Sequence, residues 1–174
     1  KAMLECLCLP AVLANEGLLA HRDHGWARHG DAVDVALLVM AHKAGVVQAE
    51  TVNAMPEIAT IPFESERLFS ASLNEKDGSQ HAFAKGALER LLPMCSSMAA
   101  PGGRVALDSS LLERQAEALA IQGYRVIALA DGEIELGAQE VFSEEHHGQL
   151  TLVGLVGLID PLRPEAKAAV TACG

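Results

Sequence analysis

The chain has 174 residues, half of them hydrophobic, enough to bury roughly two thirds of its unfolded surface and to sustain one sizeable core. Its 13 Lys and Arg against 23 Asp and Glu give a formal net charge of −10. That excludes a nucleic-acid binder, which needs a basic footprint, but leaves room for a small anionic ligand held by a local cluster.

In chain order, residues 1–20 read as a helix with an apolar stripe of Met3, Leu4, Leu7 and Leu13, kinked or divided at Pro10. Residues 21–30 suit a short hairpin turning at 23–25. Residues 34–44 form the clearest early helix, with Val35, Leu38, Val39 and His42 on one side, Asp31 or Asp34 as cap and Gly45 as stop. Residues 51–61 then read as a strand broken near Pro56. Residues 69–73 and 81–85 are strands whose connection contains Asp77-Gly78, a strong turn signal. Residues 87–95 make a short helix, with Gly86 at the strand-to-helix corner, and 101–103 a loop. Ser109 or Ser110 caps a helix over 111–121, ended by Gly123. Residues 124–130 are a strand, and Asp131-Gly132 turns the chain again. The acidic, histidine-bearing stretch 140–149 is a solvated connection or short helix. Last comes a strongly apolar strand (Leu152, Val153, Leu155, Val156, Leu158, Ile159) entering Asp160-Pro-Leu-Arg-Pro164 and a helix begun at Pro164. The pattern predicts an α+β fold, a twisted antiparallel β-sheet flanked by helices. Its ending suggests a module of a larger protein.

Chemistry-bearing residues are few. Alternation sends His81, Phe83 and Lys85 to one face of their strand and Ala82 and Ala84 to the other. An aromatic and a lysine on one face can hold a nucleotide, the ring walling the base and the ammonium meeting phosphate charge; a core phenylalanine and a solvated lysine are the plainer reading. Arg125 shares a face with Ile127 and Leu129, where it meets either a carboxylate or an anion. Phe63, beside Pro62 and among charges, can bind something flat or anchor its loop. Glu16 follows Asn15 after a helix, as a plain helix-end acid or as an acceptor for an adenine amino group. The seven histidines form no HxxxH or HExxH pattern, and Cys6, Cys8, Cys95 and Cys173 have no metal-site spacing, so buried thiols of a reducing compartment are expected. No GxxxxGK[ST] or GxGxxG occurs, and no serine or cysteine is marked as a nucleophile. We expect no catalytic residue and no metal site in this chain.

Taken in order, Leu13-Ala-Asn-Glu16, the segment Gly30-Asp-Ala-Val-Asp-Val-Ala-Leu-Leu38, Ile61-Pro-Phe-Glu-Ser-Glu-Arg67, Lys85-Gly-Ala-Leu-Glu89, Gly123-Tyr-Arg-Val-Ile-Ala-Leu-Ala130 and Gly157-Leu-Ile-Asp-Pro-Leu-Arg163 resemble the nucleotide-binding domain of P-type cation-transporting ATPases, calcium-type and related bacterial pumps in flavour. The ordered set covers almost the whole chain. The resemblance implies that Phe63 stacks on adenine, that Lys85 and Gly86 line the base and ribose end of a pocket, that Glu16 lies near the adenine edge, and that Arg125 approaches the phosphates. It favours Phe63 over Phe83 as the aromatic wall. It makes 1–159 a nucleotide-binding domain, and 160–174 the hinge and truncated start of a phosphorylation domain. Asp160 and Arg163 would lie in the hinge, the termini would lie close together, and residues after about Pro161 would be poorly ordered or displaced.

The implied ligand is ATP, Mg-ATP in the intact pump. The implied partners are the phosphorylation and actuator domains of the same polypeptide and its transmembrane domain, with this piece as a cytoplasmic domain of an integral membrane protein. There it would present ATP to an aspartate of the phosphorylation domain, and alone it would bind ATP without turning it over. Three departures stand out: Leu68 replaces a usual basic residue, Ser70 replaces a usual methionine, and the Gly30 loop ends in Asp34 instead of glutamate. Loss of the basic residue predicts weaker nucleotide binding. A stand-alone, non-catalytic adenine-nucleotide-binding or interaction domain is the alternative reading. A metal-dependent hydrolase lacks the carboxylate cluster it would need.

Overall fold

The computed structural model describes residues 2–159. Asp160, Arg163, Cys173 and the expected disorder after Pro161 lie outside that span. Helix α1 (Ala2–Leu13) keeps Pro10 inside and buried, so the expected division does not occur. After Asn15-Glu-Gly17 comes a two-stranded antiparallel ribbon of β1 (Leu18–Arg22) and β2 (Gly25–His29). Helix α2 (Ala32–Lys43) follows, with Asp31 rather than Asp34 as its N-cap: the Asp31 carboxylate accepts from the Asp34 N–H at 2.9 Å. Of the strand expected over 51–61, the first part, 51–54, belongs instead to helix α3 (Gln48–Ala54). Its β-branched Thr51 turns its hydroxyl back to the Val47 carbonyl at 2.9 Å, and the Gln48 side chain bridges Leu19 N–H and the Gly17 carbonyl.

Among the described residues the main sheet has seven strands, β3 (Glu57–Ile61), β4 (Phe69–Lys76), β5 (Ser79–Gly86), β6 (Cys95–Ala100), β7 (Gly103–Ala106), β8 (Arg125–Glu133) and β9 (Leu150–Leu158), in the order β3-β4-β5-β8-β9-β6-β7. Every neighbouring pair is antiparallel except β6 with β9. The antiparallel expectation therefore holds with one parallel exception. The β4–β5 hairpin is a two-residue turn at Asp77 and Gly78, both with positive φ (52° and 81°), as a right-twisted hairpin requires. In contrast, Asp131-Gly132 does not turn: both lie inside β8, where a Cβ on Gly132 would come within 2.9 Å of Leu150. Strands β6 and β7, unforeseen, flank the expected loop at 101–103.

Alternation divides the core between the two faces of the sheet. Ala82, Ala84, Ala128, Ala130, Leu150 and Leu152 face α4 (Leu88–Leu91), α5 (Ser109–Ile121) and Phe142. On the opposite face Phe83 packs on Leu13 and Ala14, while Ile127, Leu129 and Val156 meet Ala11 and Leu37. Phe83 is thus core. Helix α5 is capped by Asp108, whose carboxylate accepts from Leu111 N–H at 2.9 Å, not by the expected serines. Cys8 and Cys95 are buried, burial pushing the Cys95 thiol up to about 12, whereas Cys6 is exposed. No single helix among the described residues is long and apolar enough to cross a membrane.

The stretch before β9 carries a short 3-10 turn, Glu144–His146, and is less solvated than expected. His147 is buried against Phe142 (ring centroids 5.0 Å apart) and Phe69 (6.1 Å), and among the described residues neither ring nitrogen has a hydrogen-bond partner. Burial lowers its pKa below 6.5; the nearby backbone of Glu144 opposes this without reaching hydrogen-bond geometry. Because the folded value lies below the unfolded one, the unfolded chain takes up the proton first as pH falls. Stability should therefore decline below about pH 6.5, and in melts followed from pH 7.5 to 5 the variant His147→Leu should show a shallower decline.

Candidate functional site

The site grows from the junction of α1, α2 and the sheet. Gly30 turns into α2 with φ of 119°, and a Cβ there would come within 2.8 Å of Gly17 Cα, so two glycines let the chain cross itself closely. Asn15 locks this crossing by donating to the carbonyls of Ala11 (2.9 Å) and Asp34 (3.0 Å) and accepting from Gly17 N–H (2.7 Å). Asp34 is thereby held at the start of α2, pointing at β5. It is 3% exposed; its Oδ1 pairs with Lys85 Nζ at 2.5 Å and its Oδ2 accepts from Glu16 N–H at 3.2 Å. Lys85 is itself only 6% exposed, so it is a buried, paired ammonium and not a solvated strand-end lysine.

Phe63 sits in the loop between β3 and β4, where Pro62 stops the strand ladder. The residue is 43% exposed, yet its backbone is fixed from two directions. Glu16 Oε1 accepts from Phe63 N–H at 2.9 Å, and Arg67 Nη1 donates to the Pro62 carbonyl at 3.0 Å. Arg67 is anchored in turn by Glu144 (3.2 Å), which also pairs with Arg90 (3.2 Å), and Arg90 Nε donates to the Arg67 carbonyl at 2.9 Å. Three distant segments therefore set one ring.

Phe63, Lys85, Gly86 and Arg125 line a single cleft of about 50 Å³ together with Asp31, Val33 and Ile127. Its floor is thin because β5 ends in Gly86. A Cβ at that position would lie 2.4 Å from the Leu68 carbonyl oxygen and 2.5 Å from Phe69 Cβ, and backbone cannot step aside. Gly86→Ala should cost about 1–3 kcal/mol in urea denaturation, as overpacking does, and should disturb the Phe63 loop.

Four of the five expected residues thus meet at one opening, while Glu16 stands behind Phe63 and holds its amide. Asp34, read from sequence as a cap or motif end, is the residue that sequence reasoning undervalued, and Val33 and Ile127 were not foreseen as walls. The local signal was Asp31-Ala-Val-Asp34, two acids three apart at a helix start, of which only one can cap. Lys85 is neutralised by Asp34, whereas Arg125 is exposed and makes no ion pair among the described residues, leaving the cleft one free cation. An exposed ring, two apolar walls, a thin floor and one free guanidinium suit a flat ligand that carries negative charge. A cleft this small grips only part of it. Among the described residues no group of three His, Cys, Asp or Glu side chains is placed to hold a metal ion.

Residues 3–165 match a family profile described as P-type ATPase, cytoplasmic domain N. The chain is 41% identical to the cation-transporting ATPase pma1 of Synechocystis sp. over 97% of its own length and 19% of that protein's. It is 37% identical to the probable cation-transporting ATPase F of Mycobacterium tuberculosis, over 99% of this chain and 19% of the relative. With the calcium-transporting ATPase of Bacillus subtilis the identity is 31%, over 98% of this chain and 19% of the relative. The chain therefore spans about a fifth of the length of these relatives.

Proposed function

Because this chain belongs to the P-type ATPase family, as its cytoplasmic domain N, we propose that it binds ATP in the Phe63 cleft and presents it to a phosphorylation domain of the same polypeptide. The observation that carries this reading is the convergence of Phe63, Lys85, Gly86 and Arg125, from three separate stretches of sequence, on one opening. Phe63 offers an exposed face for the adenine ring. Gly86 allows close approach at the base and ribose end, beside the Lys85–Asp34 pair. Arg125 is the free charge for the phosphates, and Glu16 stands at the adenine edge while fixing the Phe63 backbone. The cleft supplies stacking of about 1–3 kcal/mol, by analogy with base–aromatic contacts, and leaves the triphosphate largely in water.

In the whole protein this binding would serve a cation pump: ATP hydrolysis, with magnesium on the triphosphate, coupled to transport through membrane-spanning and actuator parts, this domain lying on the cytoplasmic side. Titration of the ¹⁵N-labelled chain with ATP, AMP and GTP tests the reading. It expects shifts confined to Glu16, Phe63, Lys85, Gly86 and Arg125, and ATP preferred over GTP. No shift at millimolar ATP, or shifts elsewhere, would overturn it. Leu68, whose carbonyl lies against Gly86, has φ of 60° and is exposed, so a lysine there adds a cation with no new backbone cost. Leu68→Lys should tighten ATP binding about two- to fivefold, the scale of an exposed charge pair, and less so at high salt.

A further inference from the structure

A second surface lies on the ribbon of β1 and β2, away from the cleft. Trp26, the only tryptophan of the chain, is 52% exposed and meets His21 and His42 edge to face, with centroids 5.1 and 4.7 Å apart. Between the ribbon and α2 runs a groove of about 480 Å³ lined by Leu19, Trp26, Arg28, Val39, His42 and Lys43. Its size lies within the range of ligand sites, and it is far roomier than the Phe63 cleft. No carboxylate lines it, on a chain whose formal charge is −10. Arg28 and Lys43 are both exposed, and neither makes an ion pair among the described residues.

The backbone points to the kind of occupant. Among the described residues the ribbon has two strands. The Gln48 side chain satisfies Leu19 N–H and the Gly17 carbonyl at the outer side of β1, whereas β2 pairs, among the described residues, with β1 alone. An unpaired strand edge is a template for an extended polypeptide, giving main-chain hydrogen bonds while alternate side chains enter the adjoining groove. A small molecule would leave that edge unused. Unpaired cations on an otherwise acidic molecule select against basic and in favour of acidic partners. Trp26, Leu19 and Val39 supply the apolar seat that anchors a short contact.

We propose that the free edge of β2 and the Trp26 groove form a docking site for an extended acidic polypeptide segment that carries an aliphatic side chain between its carboxylates. The site is independent of nucleotide binding. The chain's sole tryptophan reports on it directly. Titrating the 174-residue chain with an acetylated, amidated Glu-Leu-Glu-Val-Glu peptide should change Trp26 emission saturably, with a Kd on the order of 1 mM, a short peptide's affinity. Amide shifts should fall on 25–29. The change should weaken as NaCl rises from about 0.05 to 0.5 M, which shortens charge interactions. In the double variant Arg28→Glu with Lys43→Glu binding should fall at least about tenfold, while circular dichroism and ATP-induced shifts stay as in the parent. Equal response to a Lys-Leu-Lys-Val-Lys peptide, an unaltered Kd in the double variant, or no response at about ten times that concentration would overturn the proposal. So would emission changes with phosphatidylserine vesicles and none with the acidic peptide, which would make the surface a lipid contact.

Discussion

Asp34→Ala should destabilise the chain by about 3–5 kcal/mol, the cost of removing one member of a buried ion pair and leaving the other charge uncompensated. Lys85 is 6% exposed, and the structure provides its ammonium no other acceptor among the described residues. The same carboxylate accepts from Glu16 N–H, and its helix start is tied to Asn15, so the loss extends to the α1–α2 crossing. Equilibrium urea denaturation gives the magnitude. A second variant separates the pair from its surroundings. Removing both charges in Asp34→Ala with Lys85→Met should recover a good part of the loss, because a buried pair exchanged for apolar groups is often near neutral. If the single variant costs under about 1 kcal/mol, water reaches the pair and it is an ordinary surface bridge.

Phe63→Ala should behave in the opposite way. Phe63 is 43% exposed, so stability should change by no more than about 0.5 kcal/mol, as for surface sites away from special features. The loop keeps its course because Glu16 and Arg67 hold backbone groups that alanine retains. Nucleotide affinity should drop by about 1–3 kcal/mol, or roughly 5- to 150-fold. Calorimetric ATP titration beside a thermal melt measures both quantities on one sample. Arg67 and Glu144 lie behind the loop, so truncating either should weaken ATP less than Phe63→Ala and also loosen the Phe63 backbone in hydrogen exchange.

How far this could be seen beforehand depended on how local each cause was. The Asp77-Gly78 hairpin was legible because a two-residue turn demands positive φ at both positions, a requirement written into those two residues. The division of Phe83 from Ala82 and Ala84 was legible because a strand alternates. Asp131-Gly132 carries the same dipeptide signal and misled, since its glycine is there to admit Leu150 of a strand that lies 18 positions further on. Helix α3 contains Thr51 and Val52, which argue for a strand, and only its packing on α1 and α2 and the reach of Gln48 to Gly17 and Leu19 argue otherwise. Strands β6 and β7 have little β-propensity of their own and are ordered by pairing with β9 and with each other. At the cleft, residue types and motif order pointed to Phe63, Lys85, Gly86 and Arg125, but the pairing of Lys85 with Asp34 joins positions 51 apart, and no local pattern announces it.

The place of β9 has a consequence for how the molecule is made. Lying between β8 and the β6–β7 hairpin, it is the wedge that joins the two parts of the sheet, and among the described strands it is synthesised after all the others. Until residue 158 has emerged, the hairpin has no neighbour and β8 offers an open, apolar edge (Ile127, Leu129) to whatever is near. Nascent chains arrested before residue 150 should therefore be protease-sensitive across 95–106 and prone to bind chaperones. Emergence of the nine residues of β9 should close the sheet in a single cooperative step.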